Sequence, residues 1–286
     1  MKKHYTITEN DGVVRVDKFL AVLHPEYSRA ALAKLFTLNL IKLNSQPIQP
    51  GHKLRPGTTF EYDLGPLQAK PEVIQLPIIY EDNNVIVVDK PAGVISHARG
   101  KFWQEASVAS FIRDRISGFS GDRGGIVHRL DRATSGVMIC AKNEATLTFL
   151  QKQFSERLVQ KTYVAIVKGE PKLEKALIDA PIARNLHTPK MFTVQEGGKS
   201  AQTEYSLIKK SNGYSMLELS PKTGRTHQLR VHLQYLHLPI VGDELYDGEK
   251  FSRLLLHAQK LVISIPDYGE TTFISPLPKE FNELLS

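Results

Sequence analysis

Short apolar runs of strand length dominate this chain after residue 77 and constrain its fold more than any other feature. Residues 85–88, 137–140 and 163–167 are almost continuously apolar, which is typical of strands buried on both faces of a sheet. Few helical patterns lie between them, so strands and helices do not alternate regularly. The pattern predicts an α+β domain with a mixed, mostly antiparallel β-sheet rather than a doubly wound fold.

One helix in this region is clearly predicted. It begins after Asn143, whose side chain can cap the first turn, and extends to about residue 158. We expect it to pack on the sheet through one apolar face, formed by Leu147, Leu150, Phe154 and Leu158.

The first 64 residues carry a different pattern, two helices followed by a hairpin. Ser28 can cap a helix over residues 29–36, and strands are predicted at residues 40–43 and 58–62. Nine Lys and Arg against six Asp and Glu give this segment a net charge of +3. The pattern predicts a small, basic α+β module.

A proline-rich segment follows this module. Pro66, Pro71 and Pro77 lie within residues 65–77 without sustained periodicity, which is typical of a semi-rigid linker. We therefore predict a module over residues 1–64, a linker over residues 65–77 and a larger domain over residues 78–286.

Composition narrows the class of protein. The single cysteine, Cys140, excludes an intramolecular disulfide and a multi-cysteine metal site, which favours a reducing compartment. The 37 Lys and Arg exceed the 30 Asp and Glu, and the net charge of +7 suits a phosphate-rich partner. No stretch approaches the roughly 18 apolar residues of a membrane span, and the first residues lack the apolar run of a signal peptide. We expect a cytoplasmic protein that does not bind membranes.

The densest polar cluster spans residues 123–136, between two predicted strands. Asp131 lies there among Arg123, Arg129 and Arg132. Nearby cations favour the ionised form of an acid, so Asp131 is expected to be a carboxylate suited to nucleophilic or charge-stabilising chemistry. The alternative is that Asp131 caps a turn and pairs with a neighbouring arginine.

A second polar cluster, residues 223–233, opens a predicted helix with Thr226 as its cap and a buried stripe of Leu229, Leu233 and Leu236. Arg225 and the free backbone N–H groups at this end would favour an anion, and a solvated basic surface is the alternative. His227, His232 and His237 recur every five residues, a spacing that fits no shared face. We therefore expect no metal site.

Residues 128–136, HRLDRATSG, resemble the signature of the pseudouridine synthase family that modifies large-subunit ribosomal RNA and some transfer RNAs. Other stretches resemble the family in the family's order, namely residues 80–82, 87–93, 161–165, 223–232, 242–243, 253–258 and 275–278. The resemblance implies isomerisation of specific uridines in structured RNA to pseudouridine, without a cofactor. We expect ribosomal RNA as the partner, transfer RNA as the alternative, and a monomeric enzyme.

By the same resemblance, Asp131 is the catalytic carboxylate, and Arg230 pairs with it through a bidentate contact. Arg225 is the alternative partner. Tyr163 corresponds to the aromatic residue that stacks on the flipped base. The resemblance assigns substrate or RNA contacts to a further group: Arg129, which can enter the space left by the flipped nucleotide, His128, Arg132, Leu255 and Leu256.

The first 64 residues resemble an S4-type RNA-binding domain, through residues 15–20, 28–29 and the hairpin at 43–44. This implies RNA contacts by Arg29 and Lys34. Two other functions are also compatible with the residues: a non-catalytic RNA-binding or ribosome-assembly protein, and an N-glycosidic hydrolase that uses Asp131 to release free uracil.

Overall fold

The computed structural model describes residues 2–69, 72–98, 105–116, 119 and 124–285. The chain divides into two compact units, Met1–Val73 with Ala98–Ala106, and Ile74–His97 with Ser107–Ser286. Lys70 and Pro71 of the predicted linker and Arg123 of the first polar cluster lie outside the described residues.

The first unit combines two helices, α1 (Val16–Leu23) and α2 (Arg29–Thr37), with a small antiparallel sheet. The Ser28 hydroxyl accepts a hydrogen bond from the Ala31 N–H at 3.2 Å, which confirms the predicted cap. The strands are β1 (Lys2–Thr6), β2 (Val14–Arg15), β3 (Ile41–Leu43), β4 (Gln46–Pro47), β5 (Lys53–Leu54) and β6 (Thr59–Asp63). Four of them form a sheet in the order β1-β6-β3-β4, and β2 pairs with β5.

The predicted linker starts inside this first unit. Residues Gly65–Gln68 form a single helical turn, α3, and Leu67 is buried in the same core as Leu20 and Phe60. The boundary between the units, after Val73, falls within residues 65–77. Burial of the Leu67 side chain gives the first residues of this segment a packing partner, which a flexible linker would lack.

The second unit is built on one large sheet. Its strands are β7 (Ile78–Glu81), β8 (Val85–Lys90), β9 (Ser135–Ala141), β10 (Gln160–Lys168), β11 (Lys175–Asp179), β12 (Ile182–Arg184), β13 (Phe192–Val194), β14 (Gln202–Ser211), β15 (Tyr214–Pro221), β16 (Leu256–Ile265) and β17 (Gly269–Ile274). In the described residues, nine of these strands pair in the order β11-β14-β15-β10-β16-β9-β8-β7, with β17 beside β16. The helices are α4 (Val108–Ile112), α5 (Glu144–Ser155), α6 (Gln228–Tyr235) and α7 (Glu280–Glu283).

The pairing confirms the expected α+β class with a mixed, mostly antiparallel sheet. Within the described ranges, β9 and β16 form the one parallel pair, with Gly136 opposite Ala258. Gly136 has a φ of +118°, and a Cβ there would lie 2.1 Å from the Ala258 carbonyl oxygen. Only glycine fits at this junction, which lies five residues after Asp131.

The central strands bury side chains on both faces, as their apolar runs predict. Ala165 and Val167 pack with Leu256 on the face covered by α6, whereas Val164 and Ile166 pack with Leu255 near α7. Helix α5 begins at its predicted cap, because Asn143 accepts a hydrogen bond from the Thr146 N–H. The assignment of Leu158 to the apolar face of α5 is wrong, since the helix ends at Ser155 and Leu158 is 62% exposed.

Candidate active site

A pocket of about 800 Å³ opens in the second unit where residues 128–134, the α5–β10 junction and residues 220–230 meet. Basic side chains outnumber acidic ones in this pocket. The described lining residues include one carboxylate, that of Asp131, and six basic side chains, those of Arg129, Arg157, Lys161, Lys222, Arg225 and Arg230. A concave surface of this charge attracts a polyanion.

The loop that carries Asp131 is held by its backbone. Ser96 Oγ donates to the Leu130 carbonyl at 2.8 Å and accepts from the Leu130 N–H at 3.0 Å. On the other side of Asp131, the Arg132 carbonyl accepts from the Gly93 N–H at 2.8 Å and from Lys90 Nζ at 3.3 Å. Both neighbours of Asp131 are therefore anchored, which leaves its side chain free to face the pocket.

Lys90 is a buried clamp on this loop. It is fully buried, and its Nζ also donates to the carbonyls of Pro91 at 3.0 Å and Val94 at 2.8 Å. Burial lowers the pKa of Lys90 to about 7, although the negative charge of Asp131 raises it. The side chain therefore lies close to its protonation midpoint at neutral pH.

Arg230 forms the expected ion pair with Asp131, but its hydrogen bonds go to a different carboxylate. Its Nε and Nη2 donate to the two oxygens of Asp243, at 2.7 Å and 2.6 Å. The distance from Arg230 Nη1 to Asp131 Oδ2 is 3.8 Å. The expectation of a bidentate Arg230–Asp131 contact is therefore wrong, because Asp243 already accepts hydrogen bonds from Nε and Nη2 of the guanidinium.

Arg230 remains a cation in this buried position. Burial alone would lower the pKa of its guanidinium, but the hydrogen bonds to Asp243 and the charges of Asp243 and Asp131 raise it. The guanidinium also lies over the ring of Tyr246, 4.8 Å from its centroid. A fixed positive charge thus stands beside Asp131 without hydrogen bonding to it.

His227 also lies beside Asp131, with Nε2 at 3.8 Å from Asp131 Oδ2. His227 precedes α6 in the left-handed conformation, with φ of 56°, and no side chain caps the helix. The predicted cap by Thr226 is therefore wrong. Instead, the buried Gln228 amide anchors this end, because its oxygen accepts from Thr223 Oγ1 and from the Arg225 N–H.

Tyr163 reaches the pocket through an irregularity in the sheet. The register between β10 and β16 shifts between Thr162 and Tyr163, and such bulges redirect side chains. Burial, with a contribution from the negative charge of Asp131, raises the pKa of Tyr163 well above its ordinary value. The residue therefore presents a neutral aromatic ring near Asp131.

His128 lines the pocket but has a structural partner. Its Nε2 accepts a hydrogen bond from the Ile139 N–H at 3.1 Å, and its ring stacks on Phe154 with centroids 4.7 Å apart. Burial lowers the pKa of His128 to about 3, so the ring is neutral. This geometry gives the imidazole no charge to offer an RNA phosphate.

The structure separates the two leucines expected at the pocket. Leu256 lines it, but Leu255 packs on the opposite face of the sheet, and its assignment to the pocket is wrong because neighbouring strand residues face opposite sides.

The remaining predicted residues divide between the pocket and other surfaces. Arg129 is an exposed lining residue. Arg225 also lines the pocket, but its Nε donates to the Ser200 carbonyl at 3.0 Å, which does not support it as the Asp131 partner.

The Arg132 side chain is exposed and approaches the Gly93 carbonyl. Arg29 and Lys34 lie on α2 of the first unit.

Four residues of this region were missed by the sequence reasoning: Lys161, His227, Asp243 and Tyr246. Lys161 lines the pocket, and no described residue forms a hydrogen bond or ion pair with its ammonium. Burial lowers the pKa of Lys161. The positions of Lys161, His227 and Asp243 within stretches of family resemblance were the available signal.

No group of three or more His, Cys, Asp or Glu side chains in the described residues could hold a metal ion. No helix in that part of the chain is long and apolar enough to cross a bilayer.

Comparisons with known proteins agree with the pocket's composition. The model of the family described as RNA pseudouridylate synthase matches residues 84–235. Ribosomal large subunit pseudouridine synthase D of Borreliella burgdorferi is 39% identical, with 100% of this chain and 92% of that protein covered. The protein of the same name from Neisseria meningitidis serogroup A is 34% identical, with 95% and 78% covered.

A solved structure shares the fold. Human RNA Pseudouridylate Synthase Domain Containing 1 superimposes with a TM-score of 0.60 at 29% identity, over 73% of this chain and 86% of the human chain. The chain therefore belongs to the RNA pseudouridine synthase family and is an isomerase that converts uridine in RNA to pseudouridine.

Proposed function

We propose that this enzyme modifies uridines in large-subunit ribosomal RNA, with Asp131 as its catalytic carboxylate and without a cofactor. The observation that carries the assignment of Asp131 is its position as the one carboxylate among the described residues of a cationic pocket, 3.8 Å from both Arg230 and His227. The substrate is inferred from the two relatives named for the large ribosomal subunit.

The reaction breaks the bond between ribose C1′ and uracil N1 and joins C1′ to C5 of the same base. A base within a stack cannot reach a pocket, so the nucleotide must flip, at a cost of a few kcal/mol. Stacking on an aromatic ring contributes about 1–3 kcal/mol, and Tyr163 supplies such a ring near Asp131. The exposed Arg129 can enter the space that the base leaves.

Asp131 has the features that a nucleophile or charge-stabilising group requires. No described residue donates a hydrogen bond to its carboxylate, so its lone pairs stay available, and the Arg230 guanidinium lies 3.8 Å from Oδ2. The other pocket cations suit the phosphates that flank the flipped nucleotide. Bond rearrangement within one nucleotide changes no oxidation state, which is why we propose that no cofactor takes part.

The first unit is proposed to bind RNA as an S4-type domain. Its α2 carries Arg29, whose side chain is 64% exposed, and Lys34. We also keep as predictions a monomeric state and a cytoplasmic location, where ribosomal RNA would be met.

The test compares wild-type protein with Asp131→Asn on unmodified ribosomal and transfer RNA, after treatment of the protein with a chelator. We expect new pseudouridines at discrete positions of large-subunit RNA with the wild type and none with the variant, with RNA binding retained. Asp179→Asn, an exposed carboxylate on β11, is the matched control and should retain activity.

Each alternative function predicts another product. A hydrolase would release free uracil, and a non-catalytic RNA-binding protein would bind without modifying any RNA. Modification confined to transfer RNA would contradict the proposed substrate, and activity in Asp131→Asn would contradict the proposed residue.

A further inference from the structure

The imidazole of His227 is held between the phenol of Tyr246 and the carboxylate of Asp131. Its Nδ1 lies 2.8 Å from Tyr246 Oη, and its Nε2 lies 3.8 Å from Asp131 Oδ2. The rings of Phe192 and Tyr246 both meet the imidazole edge to face, at 5.7 Å and 5.6 Å between centroids. The ring therefore has a defined orientation with one nitrogen directed to each partner.

The hydrogen bonds of Tyr246 determine which nitrogen carries the proton. The Phe192 N–H donates to Tyr246 Oη at 2.9 Å, so the oxygen is already an acceptor. Tyr246 is fully buried, and His227 Nδ1 is the one acceptor for its hydroxyl proton among the described residues. A buried donor needs a partner, so Tyr246 donates to Nδ1. The proton of the neutral imidazole then lies on Nε2, toward Asp131.

The charges around His227 favour this neutral form. Burial lowers the pKa of His227, the charge of Asp131 opposes this, and Arg230 and Arg129 lower it further. Asp243 also faces the ring, but its carboxylate is paired with Arg230. At neutral pH the group beside Asp131 is therefore a neutral N–H donor.

The backbone at His227 positions its side chain. Its φ of 56° lies in the left-handed region, which is uncommon for residues other than glycine. Here the conformation lets the imidazole precede α6 and still reach both Tyr246 and Asp131.

We propose that His227 is a positioning residue for Asp131, whose tautomer is set by Tyr246 so that its Nε2–H donates to the Asp131 carboxylate when substrate fills the pocket. The 3.8 Å separation is longer than a hydrogen bond, as is common in sites without substrate. The inference depends on the proposed role of Asp131 and extends it to a residue that orients the carboxylate.

The first test reads the tautomer directly. In ¹⁵N-labelled full-length protein at pH 7.5, long-range ¹H–¹⁵N spectra should show His227 with its proton on Nε2, the signals being identified by their loss in His227→Gln. Tyr246→Phe should shift the tautomer toward Nδ1–H, because the hydroxyl that occupies Nδ1 is gone. An Nδ1–H tautomer in the wild type would overturn the inference.

The second test separates positioning from folding. His227→Phe keeps a planar ring but removes both nitrogens, and misplaced catalytic groups lower rates by up to about 100-fold. We expect a fall of that order in kcat with the RNA dissociation constant unchanged. His227→Gln, whose amide N–H can replace Nε2–H, should restore part of the rate.

The chain offers a matched control in His237→Phe. His237 is exposed, lies just beyond the other end of α6 and shares the left-handed conformation with φ of 59°, but it does not line the pocket. This variant should keep the wild-type rate.

Two failures can be told apart. An inactive Asp131→Asn with a fully active His227→Phe would overturn the positioning role and leave the proposed function standing. Activity in Asp131→Asn would overturn both. If His227→Phe does not fold, the tautomer of the wild type and the rate of His227→Gln still test the inference. We then expect the wild-type proton on Nε2 and a lower rate for His227→Gln than for the wild type.

Discussion

Arginine–aspartate clusters occur in both units, but in opposite surroundings. In the first unit Asp17 accepts from Arg15 Nε and from Arg29 Nη2, both at 3.0 Å, and these arginine side chains are 47% and 64% exposed. In the second unit Arg230 and Asp243 pair at 2.6–2.7 Å with side chains 9% and 1% exposed. The residue types are the same, and burial sets what each pair does.

Exposure leaves the cations of the first unit available to another anion, because water screens their attachment to Asp17. Burial makes the Arg230–Asp243 pair a fixed part of the second unit. The Arg230–Asp243 pair also explains why Asp131 lies beside Arg230 but accepts no hydrogen bond from it. Asp243 takes the strong hydrogen bonds, and Asp131 receives the electrostatic effect of the cation while its oxygens stay open.

Breaking the buried pair should produce the largest effect. Arg230→Met leaves Asp243 buried without a partner, which typically costs about 3–5 kcal/mol in the free energy of unfolding. Urea denaturation monitored by fluorescence would measure the loss. The double variant Arg230→Met/Asp243→Leu should recover much of it, because no unpaired charge remains. A loss below about 1 kcal/mol in the single variant would show that the pair behaves like an exposed one.

Lys90 offers a second buried cation with a distinct pH signature. The folded protein lowers the pKa of Lys90 to about 7, so between pH 7 and about 10 the unfolded chain binds more protons than the folded one. The free energy of unfolding should therefore gain a contribution that rises with pH, by at most about 1.4 kcal/mol per pH unit.

Replacing Lys90 with methionine removes the amine and isolates its contribution to the pH dependence of stability. The difference in stability between wild type and Lys90→Met, measured by urea denaturation at several values from pH 7 to pH 9, should increase with pH in favour of the wild type. A difference that is independent of pH would show that Lys90 keeps an ordinary pKa in the folded state.

The cations of α2, the exposed Arg29 and the half-buried Lys34, should give the smallest change in stability but a clear change in RNA binding. Arg29→Gln with Lys34→Gln should alter the free energy of unfolding by less than about 1 kcal/mol. If both contact phosphates, the dependence of log affinity on log salt should become shallower by about 0.7–0.9 per lost contact. Filter binding at several salt concentrations measures this slope.

A charge-matched variant tests whether position matters. Lys53→Gln with Arg55→Gln removes two exposed cations of the first unit that lie outside α1 and α2. An equal loss of slope in both double variants would mean that net charge, rather than the α2 surface, accounts for binding.

The sequence predicted the proximity of several pocket residues but not the direction in which each side chain points. Asp131, Tyr163 and Arg230 lie close in the fold, as the resemblance implied, although they are far apart in the chain. The choice between Leu255 and Leu256 was not accessible, because both are apolar and only the register of β16 decides which face each takes. The end of α5 before Leu158 likewise depends on a local left-handed turn at Arg157.

The sequence by itself determined the α+β class and indicated the family, because hydrophobic periodicity and short polar motifs are local properties. Only the tertiary structure decided which aspartate accepts the hydrogen bonds of Arg230, which groups lie beside Asp131 and which cations face the pocket. Those outcomes depend on distances between segments far apart in the chain and on burial, which changes the strength of every charge and hydrogen bond.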